Sequence, residues 1–118
     1  MKVIIAGSRD IIDMNELERA IEESGFEITE VVCGCARGVD ELGLIWGVNN
    51  DIPVKRMPAD WRTYGKGAGH ERNIQMAHYG EALIAVWDGS SPGARDMIRI
   101  AKMQGLKIYV RNLGERYE

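Results

Sequence analysis

Two cysteines in a chain of 118 residues are too few to staple a fold. Only Gly34 separates them, so a bridge between Cys33 and Cys35 would be strained. A zinc site asks for about four ligands, and His70 and His78 stand far along the chain with no matching spacing, so no metal site is expected. Cys33 then reads as a small buried apolar residue in a reducing compartment. Positive charge is not in excess either: 15 Lys and Arg face 18 Asp and Glu, for a net charge of −3. Affinity for nucleic acid comes largely from neutralised phosphates, so this balance counts against a nucleic-acid partner. No apolar run approaches about 18 residues, and no basic stretch leads into a shorter one. Neither a membrane span nor a secretion signal is expected, and the location expected is cytoplasmic. Repeats, linkers and low-complexity stretches are absent from the sequence as well.

What is present is ordinary for a globular protein: 45% hydrophobic and 28% charged residues. The length suits a single domain over residues 1–118, and folding at this size buries roughly two-thirds of the unfolded chain's surface without a staple. Lys2 to Ala6 is a nearly continuous apolar run ending at Gly7, the pattern of a parallel strand buried on both faces. Asp13 opens a helix with Glu16 as capping-box partner, Leu17, Ala20 and Ile21 on one face, and Gly25 as the stop. Ile28 to Cys33 reads as a second strand and Gly38 to about Asn49 as a second helix. Pro53 to Met57 is a third strand, followed by an irregular loop from Pro58 to Gly69. A third helix runs from about His70 to Tyr79, and the most apolar strand from Ala82 to Trp87. The turn Asp88 to Gly93, a helix from about Ala94 to Gln104, a strand from Leu106 to Val110 and a polar tail from Arg111 complete the chain. Strands alternating with helices predict an α/β, Rossmann-like, doubly wound parallel sheet of about five strands and four helices. Right-handed crossovers give strand order 3-2-1-4-5, with the ligand site outside the carboxyl ends where the order reverses, between strands one and four.

The small and polar residues fall where such a site needs them. Gly7-Ser8-Arg9 follows strand one, Gly34 to Asp40 follows strand two, Asp60 to Gly69 follows strand three, and Asp88 to Gly93 follows strand four. Glycine admits close approach of a phosphate to the backbone, and the free N–H groups of the helix starts attract anions. Two common nucleotide fingerprints are missing. Gly65-Lys66 is followed by Gly67, not Ser or Thr, so it is no P-loop, and Gly7 stands alone in the first turn.

Taken together, Gly7-Ser8-Arg9, the run Gly34 to Gly43, the run Pro58 to Met76 and the run Ala82 to Ile98 resemble the SLOG superfamily. The nearest branch is that of the small YspA-like proteins, some of them encoded by phages. The resemblance implies a Rossmann-like domain that binds nucleotides or nucleotide-derived ligands. Distant members are the Lonely guy phosphoribohydrolases, which release a base from a nucleoside monophosphate, and the DNA-binding protein DprA. The Lonely guy enzymes carry an Arg-Lys-x-x-Met stretch whose arginine serves the active site, which puts Arg72 in that position here. Their Gly-Thr-x-x-Glu turn corresponds to Gly93-Ala94-Arg95-Asp96-Met97, with Ala94 for the threonine and Met97 for the catalytic glutamate. Asp96 stands next to that position but about 100° away around a helix. The YspA-like branch has Gly-Gly-Ala-Arg-Gly-x-Asp where this chain has Cys35 at the second position.

Each candidate has a functional and a plainer reading. Arg9, Arg37 and Arg72 suit bidentate phosphate contact, or else pin loops. Ser8, Ser90 and Ser91, with Gly7, Gly89 and Gly93, either donate to phosphate and ribose or simply shape turns. Gly34, Gly38, Asn73 and Asp88 belong to the same segments. Asp40 either favours its helix dipole or binds a ribose hydroxyl or Arg37. Trp61 and Tyr64 either stack a base or pin the loop, and Lys66 either meets a phosphate or is solvated. Cleaving an N-glycosidic bond builds positive charge on the sugar, so a carboxylate is needed; Asp40, Asp60, Asp88 or Glu71 could replace the one lost at Met97. His70, with Arg72 and Asp40, is a candidate catalytic residue as a general base.

The leading expectation is therefore a binding protein for a nucleotide-derived phosphate ligand, acting as sensor, carrier or sponge, with no required cofactor. A nucleotide-processing hydrolase is the alternative, and single-stranded DNA binding the third reading. Helix stripes with Trp46, Met76, Tyr79, Met97 and Met103 point to a homodimer or larger even-numbered oligomer.

Overall fold

A computed structural model describes residues 1–114. The chain runs β1 (Lys2–Gly7), α1 (Met14–Ser24), β2 (Glu30–Cys33), α2 (Val39–Asn49), β3 (Val54–Arg56), α3 (Trp61–Tyr64), a 3-10 turn (Gly65–Gly67), α4 (Ala68–Tyr79), β4 (Ala82–Trp87), α5 (Pro92–Met103) and β5 (Lys107–Asn112). All pairings are parallel, in the order β3-β2-β1-β4-β5. Strand order and α/β class are those expected, and α1, α2, α4 and α5 are the four helices read from the sequence.

The apolar strands divide their side chains by the two-residue period of a pleated sheet. Val3, Ile5, Val31, Ile84 and Val86 face one way and pack with Leu17 and Ala20 of α1 and Val39 and Leu42 of α2. Ile4, Ala6, Val32, Leu83 and Ala85 face the other way, against Met76 and Ala77 of α4 and Met97, Ile98 and Ala101 of α5. Ile4, Ile5, Leu83 and Ile84 are fully buried, each contributing about 1.5–3 kcal/mol by leaving water. Gly43 lets α2 lie close on the sheet, since a Cβ there would sit 2.7 Å from Cγ2 of Ile5.

Some boundaries moved for local reasons. Asp13 caps α1 by accepting from Asn15 N at 2.9 Å, while Glu16 accepts from Arg111 Nε at 3.3 Å. Arg111 does not begin a polar tail: it lies within β5, its side chain 13% exposed between Glu16 and Glu23 of α1. The rest of that tail, 115–118, lies outside the described residues. α5 begins two residues early, because Pro92 occupies its first turn, where a missing N–H is harmless. The stretch Pro58 to Gly69 is not irregular throughout. Asp60 accepts from Thr63 N at 3.1 Å and so caps the single turn of α3.

No helix among the described residues is long and apolar enough to cross a membrane. Met76 and Met97 are 1% exposed and serve the chain's own core, so they lend nothing to an oligomer interface. Met103 is exposed, and Trp46 and Tyr79 are half-buried against the two cores.

Candidate functional site

At the carboxyl ends of β1 and β4, where the strand order reverses, a cavity of about 480 Å³ opens. β1 ends on Gly7 because nothing larger fits: an added Cβ would fall 1.9 Å from the Val86 carbonyl oxygen. Ser8 follows, 1% exposed, and does not line the cavity. Its Oγ accepts from Asp88 N at 3.0 Å and its carbonyl from Val39 N at 3.3 Å, so it locks the turns after β1 and β4 and the start of α2 together.

Asp88 and Ser90 likewise shape the turn and lie off the cavity wall. Asp88 Oδ1 accepts from Ser90 N at 2.9 Å and Ser91 N at 2.7 Å, and Oδ2 from Ser91 Oγ at 2.7 Å. Burial works to raise this carboxyl, but the Ser91 and Ser90 amides and the serine hydroxyls outweigh it and hold it far below the usual range. Gly89, at φ +87°, completes the turn and is also off the wall. Ser91 and Gly93 do line the cavity, at the start of α5.

The loop after β2 forms the opposite wall. Asp40 is 5% exposed, and its Oδ2 accepts from Ala36 N at 3.1 Å. Burial pushes its carboxyl up to about 6, opposed by the Ala36 amide and by the Arg72 and Arg9 charges. Gly34 sits behind the wall, where a Cβ would meet Arg72 Nη1 at 2.7 Å and Asp40 Oδ2 at 2.8 Å. Gly38 also lies off the wall. Its φ of +79° starts α2, and a side chain would strike the Ser8 and Arg9 carbonyls.

The three arginines differ in what they do. Arg72 is committed to the protein: Nη1 donates to the Gly34 carbonyl and Nε to Asn73 Oδ1 at 3.1 Å. Arg9 and Arg37 are exposed, line the cavity and have no hydrogen bond or ion pair among the described residues. Trp61 lines it too, 57% exposed, and Tyr64 is 46% exposed, so neither is a buried anchor of the loop. Lys66 is exposed in the 3-10 turn and off the wall.

Two further carboxylates stand on the wall: Asp10, which the sequence reading did not name, and Asp96, which it placed about 100° from the glutamate position. Met97 and Asp96 both border the opening, Met97 from the core and Asp96 toward α4. Asp96 accepts from Asn73 Nδ2 at 3.0 Å, Arg99 Nη2 at 2.9 Å and His70 Nδ1, which is 3.0 Å from both of its oxygens. Burial works to raise this carboxyl, but those donors keep it below the usual range. Asp60, Glu71 and Asp88, considered as substitutes for the missing glutamate, do not line the cavity.

Gly7 and Gly93 thus share one cavity, with Gly34 bonded to the Arg72 that lines it. Residues 1–64, from β1 through α3, match the family described as the YspA, cpYpsA-related SLOG family. The Gene 61 protein of Mycobacterium phage D29 is 31% identical over 125 residues, an alignment covering 98% of each chain. No solved structure matches the chain with significance. The chain belongs to the YspA, cpYpsA-related SLOG family.

Proposed function

We propose that this protein binds a nucleotide-derived ligand carrying phosphate in the cavity between β1 and β4, as a sensor, carrier or sponge. The observation that carries the reading is the pairing of a 480 Å³ cavity with two uncommitted arginines, Arg9 and Arg37, on its wall. That volume falls within the range of roughly 300–1,000 Å³ common for small-molecule sites. Planar guanidinium forks with no protein partner are suited to phosphate oxygens, which they engage bidentately. The first turn of α5 adds the backbone N–H groups of Gly93 and Ala94 on the same side. Trp61 offers an exposed indole face for a base, and Asp10 and Asp40 offer acceptors for ribose hydroxyls. Family membership supports a nucleotide-related role.

Thermal shift against AMP, ADP-ribose, NAD and cyclic nucleotides tests the reading, together with quenching of Trp61 fluorescence and a Trp61→Phe control. Stabilisation by at least one of these, lost in Arg9→Ala and Arg37→Ala, is the expected result. A flat response across the panel from folded protein overturns it.

A further inference from the structure

We infer that this site hydrolyses a phosphoanhydride of its nucleotide ligand, with His70 as general base and Asp96 as the residue that positions it. The inference rests on the ligand reading above and adds a reaction to it.

His70 comes from the first turn of α4 and Asp96 from the second turn of α5, and the fold brings them together at the cavity. The Asp96 carboxylate accepts only, since its donors keep it ionised, so in the neutral imidazole the ring hydrogen sits on Nδ1. Nε2 is then the ring's free lone pair, and it has no protein partner among the described residues. A carboxylate fixing one imidazole nitrogen so that the other can take a proton is the arrangement a general base requires. Asn73 and Arg99 hold Asp96 in turn. Asn73, 6% exposed, is itself held by Arg72.

The same contacts argue against cleavage of the glycosidic bond. An oxocarbenium-like sugar needs a carboxylate whose charge is available to it. Asp96 already accepts from an imidazole, an amide and a guanidinium, which leaves little of its charge to offer. Attack on phosphorus has different needs: an activated water, and cations for the non-bridging oxygens, which Arg9 and Arg37 supply. In the step, Nε2 takes a proton from water as the water oxygen forms a bond to phosphorus. The bridging P–O bond breaks, and its electron pair leaves with the departing phosphate. An anhydride leaving group departs as a stable anion and needs no proton, so one base suffices. The imidazolium then returns its proton to solvent.

The test incubates the full chain with ADP-ribose and separates the products by anion exchange, with thermal shift run on the same samples. AMP and ribose 5-phosphate are expected. His70→Asn should lower turnover by about 10²-fold or more while ADP-ribose still shifts the melting temperature. Because His70 is half-exposed, that variant keeps the fold. Asp96→Asn should lower kcat with KM and the ADP-ribose thermal shift unchanged. The rate is taken per folded molecule from the melting curves, because a smaller folded fraction alone would also lower apparent kcat at constant KM. Binding without turnover at stoichiometric protein, release of free adenine, or full activity in His70→Asn overturns the hydrolytic step alone. Absence of a thermal shift with ADP-ribose and with AMP, NAD and cyclic nucleotides run beside it instead overturns the ligand reading beneath it.

Discussion

The Arg72 guanidinium donates to the Gly34 carbonyl, and this single contact ties the helix after the long loop to the turn after β2. Arg72 therefore works on the protein, whereas Arg9 and Arg37 on the same wall are free for a ligand. Arg72→Ala leaves the buried Gly34 carbonyl without its charged donor. It should lower stability by about 1.5–3 kcal/mol in urea denaturation. Arg9→Ala and Arg37→Ala should change stability by no more than about 0.5 kcal/mol. Each should weaken ADP-ribose binding about tenfold, or about 1.4 kcal/mol, by calorimetry.

Asp40 makes stability depend on pH in a direction opposite to most carboxylates. Its folded value of about 6 lies above the unfolded value of about 3.9. The native state therefore binds its proton more tightly than the unfolded chain does. The stability this proton confers is complete below about pH 4 and is lost as pH rises through about 6, a change of about 3 kcal/mol. In Asp40→Asn that loss should vanish, so the stability difference between variant and parent changes between pH 4 and 6 and is constant above. Urea midpoints across that range measure it.

Cys35 stands at φ +64°, in the left-handed region where a side chain is strained. It occupies the position at which the YspA-like pattern carries glycine. Cys35→Gly should raise stability by about 1 kcal/mol, relieving strain at the expense of a weak Sγ contact to the Cys33 carbonyl. Thermal denaturation decides it, and a lower melting temperature would count against strain at this residue.

Asp88 gathers four donors from its own turn, the amides and hydroxyls of Ser90 and Ser91. Asp88→Ala should cost about 1–3 kcal/mol by freeing those groups. The parent has a carboxyl depressed in the folded state, so the stability it lends is present above the unfolded value and lost as pH falls through the folded one. The variant should lack that acid-side dependence, which denaturation between pH 2 and 5 would reveal.

How much of this was legible in the sequence differs from residue to residue. Apolar runs such as Lys2 to Ala6 and Ala82 to Trp87 announced buried parallel strands, and the alternation with helices gave the strand order. α3 was hidden because one helical turn is too short to establish a period, although the Asp60 cap was a readable sign of it. Arg111 looked like tail because its partners, Glu16 and Glu23, lie on the far side of the sequence. Asp96 stands about 100° from Met97 around α5, yet both border the cavity, because a helix lying beside an opening shows it more than one side. Ser8 and Asp88 had the residue types of a phosphate site and were used instead to hold two turns together. Sequence gives residue type and position, and which hydroxyl a backbone amide takes up first is decided only by packing.

The sheet's outer strand on the β2 side is β3, three residues long, with Lys55 and Arg56 exposed. So brief a row of unpaired amides and carbonyls, bearing two like charges, is a poor template for a foreign strand. That flank thus resists strand addition without a covering segment. The longer outer strand is β5, six residues, on the opposite flank, so strand-to-strand addition has only that edge to use.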